Sequence, residues 1–327
     1  MSFSWNTQSK PIVGISPMAD MTDAPFGRII REVVSRYIDD SRLVIFREMV
    51  SSEAVVRGND KTMQMANIPD SERPVVQQIF GADPKSMAQA AKMIIDLHKP
   101  DAIDINMGCP VYKITSNFNG AALMKDPELA ASIVREVKAA INIPLSVKMR
   151  AGWSDHDECI EFAKLIEKAG ADLITIHGRT KTQAYTGTSN REVVAKVKSE
   201  LSIPVLYNGD ISTWQDYFDA IDETKCDGAL IGRGALGNPW IFAQIEQKLA
   251  DEKPMEVTLR DRIDTSLKHL DYHLEYYGDE KLPTFRKHLS WYFKGIAGFK
   301  PYKQTVMTAT DKETIAQTLE EFYQSQT

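Results

Sequence analysis

Apolar runs of strand length alternate, through most of the chain, with longer stretches whose apolar positions recur every three to four residues. The runs Ile12–Met18, Leu43–Met49, Pro74–Gly81, Asp101–Gly108, Pro144–Arg150, Leu173–Arg179, Pro204–Asp210 and Asp227–Gly234 read as strands. Helical spacing follows nearly all of them, over about Ala24–Arg36, Pro84–Leu97, Pro127–Ala140, Asp157–Ala169, Arg191–Leu201 and Thr213–Thr224. Eight strands joined by helix-length crossovers predict an α/β fold of the (β/α)8 TIM-barrel type. The competing architecture, a doubly wound sheet, needs a Gly-rich phosphate turn after an early strand. Ile12–Met18 runs instead into Ala19-Asp20, with no G-x-G-x-x-G.

In such a barrel the chemistry belongs at the C-terminal strand ends. Those ends carry Asn106 and Cys109, Lys148 and Arg150, His177 and Arg179, Asn208 and Asp210, then Arg233. Side chains alternate along a strand, so Ser146, Lys148 and Arg150 share one side while Leu145, Val147 and Met149 share the other. Thr175, His177 and Arg179 oppose Ile174 and Ile176 in the same way. The apolar sets belong against the helices, which turns the polar sets towards the barrel mouth. Several strands therefore converge on one polar site.

After about Phe242 the pattern changes. Asp251-Glu252-Lys253-Pro254 reads as a linker, and the segments from about Val257 to Gln324 are helical. The expected division is a barrel over residues 1–242 and an all-helical C-terminal domain over 255–327. At 100° per residue, Phe285, Leu289, Tyr292, Phe293 and Ile296 fall on one arc. Arg286, Lys287, Ser290 and Lys294 occupy the adjacent arc, so Phe285–Ile296 predicts a helix with an apolar side and a basic strip.

Composition narrows the function more than the fold. A chain of 327 residues, 43% hydrophobic and 26% charged, has material for a large core. It contains no apolar run of about 18 residues, and Met1–Lys10 lacks the basic and apolar regions of a signal peptide. Cys109, Cys159 and Cys226 are odd in number and lack metal-ligand spacing. The expectation is a reduced, cytoplasmic monomer with no metal and no membrane partner. A net charge of −6 leaves room for nucleic acid, which needs a local basic strip rather than a positive total.

The seventh and eighth strands of such barrels often hold a phosphate, and Asn208-Gly209-Asp210 and Gly232-Arg233-Gly234 supply glycines and a guanidinium there. Lys148 needs a negative partner in a barrel interior, either an anionic cofactor ring or the Asp104 carboxylate. His177 is a ligand donor or a satisfied core histidine, and Gln78 places an amide in the same mouth. Cys159, in a helical stretch, and Cys226 read as small core residues. Cys109 is different: it ends a strand at the functional rim, within Asp104-Ile105-Asn106-Met107-Gly108-Cys109-Pro110, with no adjacent histidine to make it a thiolate. An ordinary thiol, with a pKa of about 8.5, stays protonated at neutral pH and suits a proton donor.

These motifs, in this order, resemble the tRNA-dihydrouridine synthase family. The resemblance runs from about Pro17 to Phe242 and more weakly through the tail. It rests on Pro17-Met18 with Thr22-Asp23 and Pro25-Phe26, Gln78-Ile79-Phe80-Gly81, the Asp104–Pro110 run and Val147-Lys148-Met149-Arg150-Ala151-Gly152. It continues through Ile174-Thr175-Ile176-His177-Gly178-Arg179-Thr180, Asn208-Gly209-Asp210-Ile211 and Ile231 to Trp240. Arg286-Lys287-His288 with Trp291-Tyr292 is similar to the family's helical RNA-binding domain.

The resemblance implies FMN in the mouth, reduced by NADPH, and a uridine of tRNA as substrate. Pro17, Met18 and Ala19 would line the flavin, Gln78 and Lys148 contact its ring, and His177 lie against it. Asn208, Gly209, Asp210, Gly232 and Arg233 would hold its phosphate end. Hydride would reach C6 of the uracil and Cys109 would protonate C5. Asn106, Arg150 and Arg179 are expected on the substrate side, and Arg286, Lys287 and Lys294 on tRNA phosphates. The chain departs from the family pattern at Asp20 and Gly27, where Gly and Arg are usual.

Two rival readings stand beside this one. A flavin barrel acting on a free small molecule, of the dihydroorotate dehydrogenase type, shares the phosphate site but needs no basic tail. A non-catalytic RNA-binding protein on a retained barrel would be colourless, lacking flavin absorbance.

Overall fold

The computed structural model describes residues 3–38 and 42–326. Eight parallel strands close into a barrel in strict chain order, as the alternating pattern predicts. They are β1 (Ile12–Ile15), β2 (Leu43–Ser51), β3 (Val75–Phe80), β4 (Ala102–Met107), β5 (Leu145–Arg150), β6 (Leu173–His177), β7 (Val205–Asn208) and β8 (Gly228–Ile231). Pairing of β8 with β1, from Ile12↔Gly228 to Ile15↔Ile231, closes the cylinder. Several strands stop earlier than their apolar runs, β1, β6, β7 and β8 by two or three residues. After β1, Pro17 has no N–H for the ladder. After β7, Gly209 and Asp210 turn the chain at φ 138° and 45°.

The chain divides into two compact units, Met1–Asp23 with Arg42–Gly232, and Ala24–Ser41 with Arg233–Thr327. In the barrel unit, short side chains cap the crossover helices against the N–H groups that a first turn leaves unpaired. Asp83 accepts from Ser86 N–H ahead of Pro84–His98, and Asp126 from Leu129 N–H ahead of Pro127–Ala140; each of these helices starts with proline. Asn190 does the same for Arg191–Glu200, and Thr213 with Asp216 forms a capping box on Trp214–Thr224.

The barrel interior changes character along its axis. Near the N-terminal strand ends, Ile12, Val44, Phe46, Val76, Ala102, Leu173, Leu206 and Leu230 form one apolar cluster. Trp5 completes it, only 2% exposed, with its ring stacked 5.9 Å from Phe46 and Phe3 edge-on at 4.8 Å. The N-terminal strap thus plugs that end. Two residues further along β3, β4 and β6 the side chains are Gln78, Asp104 and Thr175, which with Ser146 on β5 make the next layer buried but polar.

The second unit contains the helices α1 (Ala24–Ser35), α2 (Trp240–Leu249), α3 (Leu259–Tyr277), α4 (Leu282–Tyr292), α5 (Lys300–Thr308) and α6 (Lys312–Gln324). Val33, Trp240, Ile263, Leu270, Phe285, Leu289, Tyr292, Phe299, Leu319 and Phe322 share its core. His269 and His288 are buried there among Phe26 and Phe285, and burial holds both rings well below their ordinary pKa. The predicted tail helix is shorter than its period suggests. It ends at Tyr292, and Phe293, Lys294 and Ile296 follow it in a turn that passes through Gly295 at φ 75°. Among the described residues no helix is long and apolar enough to cross a membrane.

Candidate active site

Register puts Gln78 beside Asp104, Asp104 beside Ser146, Asn106 beside Lys148, Arg150 beside His177 and His177 beside Asn208. The polar sets from β3 to β7 therefore line one arc of the mouth. Their hydrogen bonds form a directed chain. Ser146 Oγ and Gln78 Nε2 donate to the two oxygens of Asp104, each at 2.6 Å. Asn106 Nδ2 donates to Gln78 Oε1 at 2.8 Å, and Asn106 Oδ1 accepts the N–H groups of Gly108 at 3.1 Å and Cys109 at 2.9 Å. A buried network stabilises only when its members are satisfied. Here it runs from β5 through β4 and β3 and ends on the backbone that carries the thiol.

Cys109 is half-buried, whereas Cys159 and Cys226 are buried and their thiols are pushed up to about 12 by desolvation. Burial also raises the Cys109 thiol above its ordinary value. The Val111 N–H and the charges of Arg150 and Lys148 oppose that rise without cancelling it. The group is thus a protonated thiol at neutral pH, beside cations that would stabilise the thiolate once the proton has gone. Lys148 is lowered to about 8 by burial and by Arg150, against the pull of Asp104. Asp104 is raised to about 6 by burial, against Ser146, Gln78 and Lys148. Of the two partners the sequence allowed Lys148, Asp104 acts on it as a nearby charge, while its oxygens are occupied by Ser146 and Gln78.

Arg150 and Arg179 spend their guanidinium groups inside the protein. Arg150 is 2% exposed and donates to the carbonyls of Gly108 at 2.8 Å, Thr180 at 2.9 Å and Ala184 at 2.8 Å. It ties the Cys109 turn to the loop after β6, where Ala184 sits at φ 50°. Arg179 is 4% exposed and donates to the carbonyls of Thr186 and Gly187 and to Asp210. Its Nη1 stands 3.5 Å from His177 Nε2. The sequence placed both arginines on the substrate side; their polar contacts here are with loop carbonyls, Asp210 and His177.

At the end of β7, Asn208 Nδ2 donates to the Leu230 carbonyl at 2.7 Å. Gly209 admits no side chain, since a Cβ would fall 2.2 Å from Ser189 Oγ. The exposed Asp210 carboxylate accepts from Arg179 and from Ser189 N–H. Gly232 is open by contrast, a Cβ there meeting nothing nearer than Met18 Sδ and Ser16 Cβ at 3.8 Å. Pro17 and Met18 are half-buried and Ala19 is exposed. Thr22 explains its place in the motif, because its hydroxyl accepts from Met18 N–H and donates to Met18 O. Asp20 lies at φ 61°, the left-handed region where glycine is free and aspartate is tolerated, and its N–H donates to the buried Glu48.

The remaining expected residues lie on the second unit. Arg233 is exposed, immediately after Gly232 in the chain. Arg286 Nη2 donates to the carbonyls of Ala309 at 2.9 Å and Thr308 at 3.4 Å, capping the C-terminus of α5 where a cation is favoured. Lys287 is half-buried on α4, and Lys294 is exposed with its Nζ 4.5 Å from the Trp291 ring centroid. Sequence reasoning passed over Ser189, a lone serine with no periodic signal, and gave no role to the Ser146 hydroxyl. Thr175 keeps a fully buried Oγ1 without a partner, beside Lys148 in register.

A family model described as dihydrouridine synthase (Dus) matches residues 14–327. A probable tRNA-dihydrouridine synthase of Rickettsia prowazekii (strain Madrid E) is 35% identical over 325 residues, 98% of this chain and 97% of the relative. The tRNA-dihydrouridine synthase B of Pasteurella multocida (strain Pm70) is 34% identical over 97% of this chain and 94% of its own length. Among solved structures, a 2-naphthoyl-CoA reductase complex superposes with a TM-score of 0.53 at 11% identity, covering 73% of this chain and 50% of that one. Histamine dehydrogenase from Rhizobium sp. 4-9 gives 0.53 at 12% identity, covering 80% and 48%. At such identities the likeness speaks for the fold alone.

Proposed function

Because the chain belongs to the dihydrouridine synthase family, we propose that it reduces the C5–C6 double bond of a uridine in tRNA to 5,6-dihydrouridine, with FMN in the barrel mouth recharged by NADPH, in the cytoplasm. The observation that carries the reading is the half-buried Cys109, whose backbone N–H donates to Asn106, on the rim that also presents Lys148. Two further observations support the fit of the cofactor. Gly232 leaves room beside Met18, and Lys148 brings a cation to the mouth with no carboxylate oxygen paired to it among the described residues. Pro17, Met18 and Ala19 would line the flavin, with Gln78, Lys148 and His177 towards its ring. Asn208, Gly209, Asp210, Gly232 and Arg233 would lie towards its phosphate end.

When bound, the reduced flavin supplies hydride for C6 of the uracil. Lys148 then opposes negative charge in the mouth, and Cys109 gives its proton to C5. The proton leaves a thiol whose anion Arg150 and Lys148 stabilise, which lowers the cost of transfer. Arg150 and Arg179 hold the rim loops in shape through carbonyls, and Asn106 fixes the thiol's backbone. The target base must leave its stack to reach this depth. Lys287 and Lys294 on the helical unit would hold tRNA phosphates without reading sequence.

The test is Cys109→Ala on purified protein with unmodified tRNA. The variant should keep its yellow flavin and lose dihydrouridine formation by about 100- to 10,000-fold, the range of a general acid. Undiminished product would remove Cys109 as the acid. Turnover of free uridine at the rate of tRNA would favour the small-molecule barrel, and a colourless protein the non-catalytic one.

A further inference from the structure

The segment after Cys109 leaves its chain neighbourhood and returns to it. Ala121 N–H donates to the Cys109 carbonyl at 3.1 Å. Gly120, at φ 61°, sits so close that a Cβ would be 2.9 Å from that carbonyl oxygen and 3.1 Å from Cys109 Cβ. Both ends of the loop are therefore pinned at the thiol-bearing residue. Between them, Ile114 turns inward while Val111, Tyr112 and Phe118 face solvent at 51%, 83% and 47% exposure. They are three of the six large apolar side chains exposed among the described residues, gathered within eight positions. Phe118 also lies at φ 60°, a left-handed conformation that a bulky residue rarely adopts. Strain of this kind persists only where the surroundings hold it and is found at ligand-binding rims.

Charge narrows the occupant. From Cys109 to Lys125 the chain has no acidic residue, and Lys113 stands exposed between Tyr112 and Phe118 in the sequence. Aromatic faces interleaved with lysine suit a nucleic-acid strand, whose bases stack while its phosphates meet the cations. Two peptide links, at most about 7 Å, separate Phe118 from the glycine that touches Cys109. A ring so tethered is in reach of a nucleotide next to one whose base occupies the site.

We infer that Tyr112 and Phe118 form a stacking platform for the unpaired tRNA bases flanking the uridine that is reduced, with Lys113 on the intervening phosphate. The inference rests on the tRNA reading above and adds to it the contacts that hold the strand open around the extruded base. The occupant is single-stranded RNA, since stacking needs base faces that a duplex conceals.

The experiment compares holoenzyme carrying Tyr112→Leu, Phe118→Leu or both with wild type on unmodified tRNA, following dihydrouridine against substrate concentration. Leucine preserves apolar bulk and removes the π face. Each single change should raise KM roughly tenfold and the pair more, with flavin content unchanged as the measure of folding. Phe118→Tyr and Tyr112→Phe keep the faces and should restore the wild-type KM. Wild-type KM in both leucine variants overturns the platform while leaving the synthase reading intact. Equal loss in the aromatic exchanges overturns it too, because shape rather than stacking would then decide. Wild-type holoenzyme that forms no dihydrouridine overturns both readings together.

Discussion

Replacing Asp104 by asparagine separates the electrostatic cost of the polar layer from its hydrogen bonding. Asparagine keeps the shape: Oδ1 accepts from Gln78, and its amide donates to Ser146 Oγ, whose own hydrogen can turn to the Ile103 carbonyl 3.5 Å away. What is lost is a carboxylate that burial raises from 3.8 to about 6. An acid whose folded pKa is the higher one binds its proton more tightly when folded, so its contribution to stability declines as pH rises from 3.8 and levels off above 6. Linkage gives a penalty of about 1 kcal/mol at pH 4.5 and about 3 kcal/mol at pH 7.5. Asparagine does not titrate, so the Asp104→Asn variant escapes this penalty. Urea unfolding of flavin-free protein should show the variant gaining on wild type by about 2 kcal/mol between these two pH values. Taking the difference between two pH values cancels any constant effect of the substitution. Lys148, losing the carboxylate that favours its charged form, sheds its proton more readily and widens the gap in the same direction. A variant that runs parallel to wild type across this range would falsify the assignment of a buried, titrating Asp104.

Two other substitutions address the arginines and the tail. Arg150→Met leaves the Gly108, Thr180 and Ala184 carbonyls without their donor. It should cost about 2–4 kcal/mol in urea unfolding, with water reaching the loop carbonyls in part. Arg150→Lys should recover little, because one ammonium cannot span the three acceptors; stability within 0.5 kcal/mol of wild type in both, about the noise of a surface change, would argue against the clamp. Neutralising Lys287 and Lys294 together should weaken tRNA binding about tenfold at low salt and flatten the log–log salt dependence by about 1.5. Affinity and slope that stay at wild-type values would take the tail out of the binding surface.

The barrel was legible in the chain because its signal is local. Strand and helix periods are properties of a few consecutive residues, and eight repeats of the pair leave few ways to bury the apolar sides. Alternation told which side of β5 and β6 would be polar, and the strand-end motifs located the rim, the thiol and the family. Partners were not legible, because each depends on how distant segments meet. Asp104 finds Gln78 and Ser146 only through the register of β3, β4 and β5. From sequence, Arg150 and Arg179 are expected on the substrate side of the mouth. Closure brings carbonyls from residues 180–187 onto both, and a buried guanidinium takes whatever acceptors satisfy it. Arg286 is drawn in the same way to the end of α5, and Gly295 cuts short a helix whose period continued past it. Periodicity decided the fold; tertiary closure decided which polar groups remain available for chemistry.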